Sequence, residues 1–399
     1  MVTVISALLA SLVVGGLCYN LSHSFPEWWA HRVLRYSAVL LVCLPLMGVL
    51  GYGGGIMLES YGLYQWGKQF AAIGFAINLP LSIAFLPLLV WLKLRHRVKG
   101  SPSTESQASS PDRRRFLKRA AILPLTSLGL SGAGLVGAAM VPTVREVEVA
   151  IPGLDPRLDG FRLLQITDAH LGPYVGLNSF EAVVEQLADR PPDCIALTGD
   201  MADVLRLVGP ACGLLSQLKP TAGIVASMGN HEYHFPLKDI RKTFDKAQVQ
   251  LLRSTGTTIK HRGADLYLAG IDDPAGSPQP PAQLLTQSTS MALNDWPTGA
   301  MAVALSHRPR GFDATSSMGV PLTLAGHTHG YQLGMGGRSI VDLVAPERYA
   351  RGLYQQGKHQ LYTSAGLGHW FPFRLGCGAE APVIVLRVAP TASTAPGTL

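Results

Sequence analysis

Four stretches near the start of the chain, residues 1–25, 37–58, 69–92 and 120–144, carry no Asp, Glu, Lys or Arg. Each offers the ~20 apolar residues that a helix needs to cross the hydrocarbon layer. Pro80 and Pro87 in the third are tolerated in such helices. From about Pro142 the pattern changes to short apolar runs that end in polar residues. FRLLQIT (161–167), CIALTG (194–199), GIVASMG (223–229), MAVALS (301–306) and PLTLAG (321–326) read as strands. TTIKHR and DLYLAGI, on either side of Gly263, read as a hairpin. NSFEAVVEQLADR (178–190) places Phe180, Val183, Val184 and Leu187 on one helical face, with Asn178 or Ser179 as its cap. ADVLRLVGPACGLLSQL (202–218) is a second amphipathic helix. The class is α/β, alternating at first and β-rich later.

Charge sharpens the division into parts. Residues 92–119 hold nine basic side chains against Glu105 and Asp112, an excess equal to the whole formal net charge of +7. A cluster beside apolar segments reads as a cytoplasmic anchor, which excludes a nucleic-acid-binding face. With Arg32 and Arg35 between the first two apolar stretches, the positive-inside rule sends everything after about residue 141 out of the cytoplasm. The expected organisation is a membrane region of three helices (1–95), a basic Ser/Pro linker (96–119) and a fourth transmembrane or signal-anchor helix (120–141). A catalytic domain (142–388) and a disordered low-complexity tail (389–399) follow. The protein is thus expected to be multi-pass in the plasma (inner) membrane, with an extracytoplasmic domain. RRRFLK (113–118) resembles a twin-arginine export motif through Arg113, Arg114, Phe116, Leu117 and Lys118. The five cysteines show no CxxC spacing, so neither a disulfide framework nor a thiolate zinc site is indicated.

The strand ends carry the chemistry. Asp168 and His170 follow the first strand, Asp200 and Asp203 the second, and Asn230, His231 and Glu232 the third. His307 follows MAVALS, and His327 and His329 follow PLTLAG. In open α/β sheets, functional groups gather at the carboxyl ends of strands, so these clusters can converge. Nitrogen and oxygen donors without thiolate suit Mn, Fe or Zn, and there are too many for one ion. A His-x-His turn projects both imidazoles the same way, one to each of two ions, while Gly326 and Gly330 leave room. His234, His261 and His359 fit no such cluster, and GIDDP (270–274) reads as a plain turn.

In this order DAH, GDMAD, GNHE, SHRP and GHTHG resemble the signature of the calcineurin-like metallophosphoesterases over residues 161–385. RGLYQQGKHQLYTSAGLG (351–368) is similar to the membrane-associated or exported phosphodiesterase branch. The resemblance implies an α/β/β/α sandwich, two mixed sheets flanked by helices, that hydrolyses a phosphate ester by metal-bound hydroxide. It implies that Asp168, His170 and His329 hold one divalent ion, that Asn230, His307 and His327 hold a second, and that Asp200 bridges them. His231 would act on the substrate, oriented by Asp203. Val204 stands where the protein-phosphatase branch carries an arginine, which points away from phosphoprotein substrates. Trp370, Phe371 and Phe373 read either as interfacial aromatics at the headgroup level, admitting a lipid-linked phosphate, or as a cap on the sheet core. The alternative from another class is a non-catalytic membrane sensor or scaffold that binds a phosphorylated ligand at the metal centre.

Overall fold

The computed structural model describes residues 122–343, 345 and 349–389, together with 32–58 and scattered positions between 15 and 78. The first and third apolar stretches, the twin-arginine-like segment, the basic linker and the tail beyond 389 lie largely or wholly outside the described residues. The chain divides into two units, Met1–Ala139 with Phe371–Leu375, and Met140–Trp370 with Gly376–Leu399.

The first unit contains α1 (Arg32–Met57) and α2 (Ile122–Ala139). Among the described residues no helix is long and apolar enough to cross a membrane, so these helices do not support the four-span expectation. Both helices are rich in small residues. Pro45 and five glycines dilute α1, and α2 has four glycines in 18 residues. Those glycines permit close backbone approach: a Cβ at Gly48 would lie 2.2 Å from the Ala71 nitrogen. Gly134 of α2 leaves space for the Phe373 ring, whose nearest carbon would sit 2.1 Å from an added Cβ. The Arg374 amide donates to the Gly134 carbonyl at 2.8 Å. Phe371 and Phe373 are therefore buried, 4% and 2% exposed, with rings stacked 6.1 Å apart. The headgroup placement, one of the two readings of these side chains, gives way to packing on α2; Trp370 is half-buried.

The second unit opens with β1 (Thr143–Ile151), β2 (Arg162–Ile166), α3 (Asn178–Leu187), β3 (Cys194–Thr198), α4 (Val208–Ser216) and β4 (Ile224–Ser227). Next come α5 (Leu237–Lys246), β5 (Gln250–Leu252), β6 (Thr255–His261), β7 (Ala264–Ile271), α6 (Pro281–Ala292) and β8 (Met301–Ser306). After α7 (Gly311–Ser317) and β9 (Leu322–Ala325), a small hairpin pairs β10 (Gly334–Met335) with β11 (Arg338–Ser339). β12 (Gly352–Gln356), β13 (His359–Thr363) and β14 (Glu380–Val388) complete the unit.

Two six-stranded mixed sheets form, ordered β1-β14-β2-β3-β4-β5 and β12-β13-β9-β8-β7-β6. In the first, β2 to β5 are parallel and β14 runs antiparallel to β2 but parallel to β1. In the second, β7, β8, β9 and β13 are parallel, with β6 and β12 antiparallel at the edges. The sheets face each other through Leu163, Ala196 and Val225 on one side and Leu268, Val303 and Leu324 on the other. The outer face of the first sheet is covered by Phe180, Leu215 and Phe244 from α3, α4 and α5. α6 covers the second sheet with Leu285 and Ala292, and α7 with Phe312. Burying each such side chain contributes ~1.5–3 kcal/mol, which is what holds four layers together. Because both faces are covered, β2, β3, β4 and β8 are buried at every position; β3, β4 and β8 read as mainly apolar runs, whereas β2 also buries Arg162 and Gln165. The observed α/β architecture is two mixed sheets flanked by helices. One local expectation fails: α3 begins at Asn178 behind Leu177, and no side chain caps it.

Candidate metal centre

The carboxyl ends of β2, β3, β4, β8 and β9 bring together Asp168, His170, Asp200, Asp203, His231, His307, His327 and His329, with Asn230 beside His231. Buried polar contacts fix these ends across both sheets. Gln165 donates from Nε2 to Thr198 Oγ1 and to the Ala325 carbonyl, both at 2.9 Å. Asp168, His170, Asp200, His327 and His329 all have φ between 45° and 67°. Left-handed backbone at non-glycine residues costs of order 1–3 kcal/mol each and clusters where function requires it. His327 and His329 thus leave a turn, not an extended strand, and reach different neighbours. Gly326 is essential to that turn: an added Cβ would lie 2.1 Å from Asp168 Oδ2 and 2.2 Å from Thr167 Oγ1.

Two groups of donors result, Asp168–His170–His329 and Asp200–His307–His327, with a third, His170–Asp200–His231, overlapping both. Proton accounting decides what they are for. His170 turns Nδ1 to Asp203 Oδ1 (3.2 Å), and His329 turns Nδ1 to the Gly368 carbonyl (3.2 Å). An acceptor opposite Nδ1 places the imidazole proton there and leaves Nε2 as a lone pair. Yet the two Nε2 atoms face each other at 3.1 Å, with Asp168 Oδ1 3.2 Å from that of His329. Three atoms able to ligate a cation thus converge on one point. His307 repeats the pattern: Nδ1 lies 2.9 Å from the Thr198 carbonyl, while Nε2 faces Asp200 Oδ2 and His327 Nδ1, each at 3.2 Å. Two ligands about 2.1 Å from one ion lie about 3.0–3.4 Å apart. Asn230 Oδ1 is also buried without a hydrogen-bond partner. The donor set fits divalent cations.

Electrostatics agree. Burial raises the Asp168 carboxyl, and Asp200 raises it further, although His307 and His170 pull the other way. Burial acts against the charged form of Asp200 too, but His307 and its neighbours hold that carboxyl well below its usual range. His307 is pushed up to about 10: burial lowers it, and the Asp200 carboxylate outweighs burial. His327 falls to about 3 through burial, reinforced by His307 and Arg308. Without cations, protons take their place, and His307 is where the first one sits.

On the open side, His231 is the accessible imidazole, its side chain 22% exposed. Its Nδ1 lies 2.8 Å from Asp203 Oδ1, and its Nε2 points to Asp200 Oδ2, 4.0 Å away. Burial lowers its pKa, but the Asp203 hydrogen bond and Asp200 leave it raised. His234, exposed and set apart by the sequence reading, packs its ring edge-on to His231 at 4.9 Å. His261 packs on Phe161, and His359 pairs with the Val320 carbonyl.

Sequence reasoning underrated two features. Glu232 is 2% exposed and contacts three backbone amides, a role visible only as a charge following directly on Asn230 and His231. Asp272 and Asp273 do form a turn, but both are buried and ion-paired. Asp273 grips Arg308 at 2.8 and 3.2 Å, and Asp272 accepts from Arg253 and from the Tyr233 hydroxyl.

The family profile described as calcineurin-like phosphoesterase matches residues 161–331. Over these residues the chain is similar to the calcineurin-like phosphoesterases. The chain is 32% identical over 278 residues to a Danio rerio transmembrane protein with metallophosphoesterase domain, covering 64% of itself and 60% of that protein. It is 28% identical over 334 residues to the Bos taurus protein of the same description, covering 78% and 72%. The chain therefore spans less than two thirds of the Danio rerio relative. A solved Danio rerio structure described as a dimetal phosphatase overlaps 52% of this chain and 88% of its own, at 13% identity and a TM-score of 0.33. The matched segment ends at Tyr331, just past the last of the clustered histidines.

Proposed function

We propose that the protein is a membrane-anchored, dinuclear-metal phosphoesterase. The observation that carries this reading is the convergence of ligand atoms in two groups: the facing Nε2 atoms of His170 and His329 with Asp168, and Asp200 with His307 and His327. Asp168, His170 and His329 would hold one ion, and Asn230, His307 and His327 the other, with Asp200 between them. Two divalent ions, Mn, Fe or Zn by donor type, would neutralise phosphoryl oxygens and bring the pKa of a bound water from 15.7 towards about 7. The chain's own residues do the rest. Asp203 holds the His231 proton on Nδ1 and stabilises its cation. His231 Nε2–H then hands its proton to the departing ester oxygen. Asp200, accepting from the His231 amide at 2.8 Å, ties that imidazole to the centre.

A singly charged phosphodiester, or a lipid-linked phosphate, is the substrate class this surface favours. Val204 offers no charge to a dianionic monoester, and Arg308 is already engaged by Asp273. Membrane anchoring, with the domain outside the cytoplasm, is supported by the relatives' description as transmembrane proteins and by the charge distribution of residues 92–119. It is also supported by the exposed Tyr36, Leu40, Leu50 and Met57 of α1. Such apolar exposure suits a lipid environment better than water.

The test uses purified full-length protein, elemental analysis and an aryl phosphodiester assayed beside a micellar phosphate ester. Two ions per chain and metal-dependent turnover are expected, with turnover abolished in folded His327→Ala or Asp200→Asn. Undiminished turnover of His327→Ala in Mn²⁺ would overturn the reading. Metal binding without turnover on any ester would favour the sensor alternative.

A further inference from the structure

Glu232 has no part in the chemistry proposed above, yet it is buried among the groups that perform it. Its Oε2 accepts from the amides of Asp200 and Gly229, and its Oε1 from the amide of Met201, all at 2.8 Å. Those amides belong to two loops, one after β3 and one after β4, and Glu232 staples them together. The staple is reciprocal: the His231 amide, next to Glu232, donates to Asp200 Oδ1 at 2.8 Å. The Asp200 peptide and one carboxylate oxygen are thus both held by residues 231–232. Only Oδ2 remains directed at the centre, 3.2 Å from His307 Nε2 and 3.8 Å from His170 Nε2.

A carboxylate is the side chain this geometry demands. Both oxygens face N–H donors, so an amide would set its own NH₂ against at least one of them. Leaving a buried donor unmatched costs far more than the bond itself contributes. Burying an anion beside another anion, Asp200, is tolerable only where cations stand close by.

We propose that Glu232 is the positioning residue that sets the bridging carboxylate of Asp200, and through it the occupancy of the second metal position. The inference rests on the dinuclear reading above. Because Asp168, His170 and His329 follow β2 and β9, and the staple joins the loops after β3 and β4, one ion is retained when the staple fails.

The test compares full-length wild type with Glu232→Gln in detergent. Three measurements are made: Mn²⁺ titration by calorimetry, paramagnetic resonance of the loaded protein, and backbone hydrogen exchange of the metal-free protein. For Glu232→Gln, the first Mn²⁺ should bind as in wild type. The second should bind roughly 10–100-fold more weakly, the range seen when a ligand's supporting partner is removed. The signature of coupled Mn²⁺ pairs should fade, and exchange in segments 199–201 and 229–231 should accelerate together. Two Mn²⁺ ions bound with wild-type affinity and unchanged exchange would overturn the inference. Absence of metal from wild type would instead overturn the dinuclear reading. Should Glu232→Gln fail to fold, Glu232→Asp serves, since it keeps the charge and shortens the reach. It should behave as described for Gln; full recovery of the second ion by Asp would mean that charge alone matters, and would sink the positioning role.

Discussion

Asp203→Asn is the most informative single substitution, because one oxygen serves two imidazoles. Asp203 Oδ1 lies 2.8 Å from His231 Nδ1 and 3.2 Å from His170 Nδ1, with the carboxylate 8% exposed. A hydrogen bond to a charged group contributes ~1.5–3 kcal/mol and a neutral one ~0.5–1.5. Asparagine that keeps its oxygen inward thus forfeits about 1 kcal/mol at each imidazole, about 2 kcal/mol in all. At 1.4 kcal/mol per factor of ten, kcat/KM should fall about 30-fold. The loss should divide in a recognisable way. His231, raised largely through Asp203, should titrate at lower pH, so the limb reporting it moves to the acid side. His170 should hold its ion more weakly, which added Mn²⁺ restores. The assay is the rate of aryl phosphodiester hydrolysis from pH 5 to 9 at saturating and limiting Mn²⁺, with bound metal measured in parallel. An unchanged pH profile with unchanged metal affinity would refute the shared-acceptor argument. So would loss of both ions, since it would make Asp203 itself a ligand.

Other expectations concern single features. His231→Gln should lower turnover at least tenfold while retaining both ions, checked by elemental analysis; loss of the ions would reassign His231 as a ligand. Gly326→Ala forces a Cβ to within 2.1 Å of Asp168 Oδ2. It should destabilise the fold by a few kcal/mol and weaken metal uptake, as read by denaturant melts and calorimetry. The metal-free protein should depend on pH through His307, whose folded value of about 10 stands above its ordinary 6.5. A raised imidazole stabilises fully below its unfolded pKa and loses that contribution as pH rises through the folded one. Thermal stability of the stripped protein should therefore decline between pH 6.5 and 10, and the stabilisation conferred by added Mn²⁺ should grow over the same window. A flat melting temperature across that range would contradict the His307–Asp200 pairing.

The strands that end at the centre were the most legible part of the sequence. Double burial makes β3, β4 and β8 mainly apolar runs, with β2 broken only by Arg162 and Gln165, and polar residues after such runs have few reasons to be there except chemistry. β1 and β14 were not foreseen. TVREVEVAI alternates charge with apolar residues, and nothing local says that its partner lies more than 200 positions away. Glu232 escaped because it acts through backbone amides that have no sequence signature. Phe371 and Phe373 were open to two readings because an aromatic cluster looks alike whether lipid or a glycine groove receives it. Gly134 was the missing partner, and only three dimensions reveal the match. The Asn178 cap failed for a local reason: Leu177 already has helical backbone, so the helix needs no side-chain oxygen at its entrance.

The strand order of the first sheet has a consequence for how the molecule is made. β14, synthesised last, lies between β1, synthesised first in this unit, and β2. Until β14 has been made, β1 has no strand of the first sheet to pair with. A chain cut before β14 would keep the clustered carboxylates and imidazoles and still lack the strand that joins β1 to β2. The first sheet is therefore completed only when the most C-terminal strand of the unit is in place.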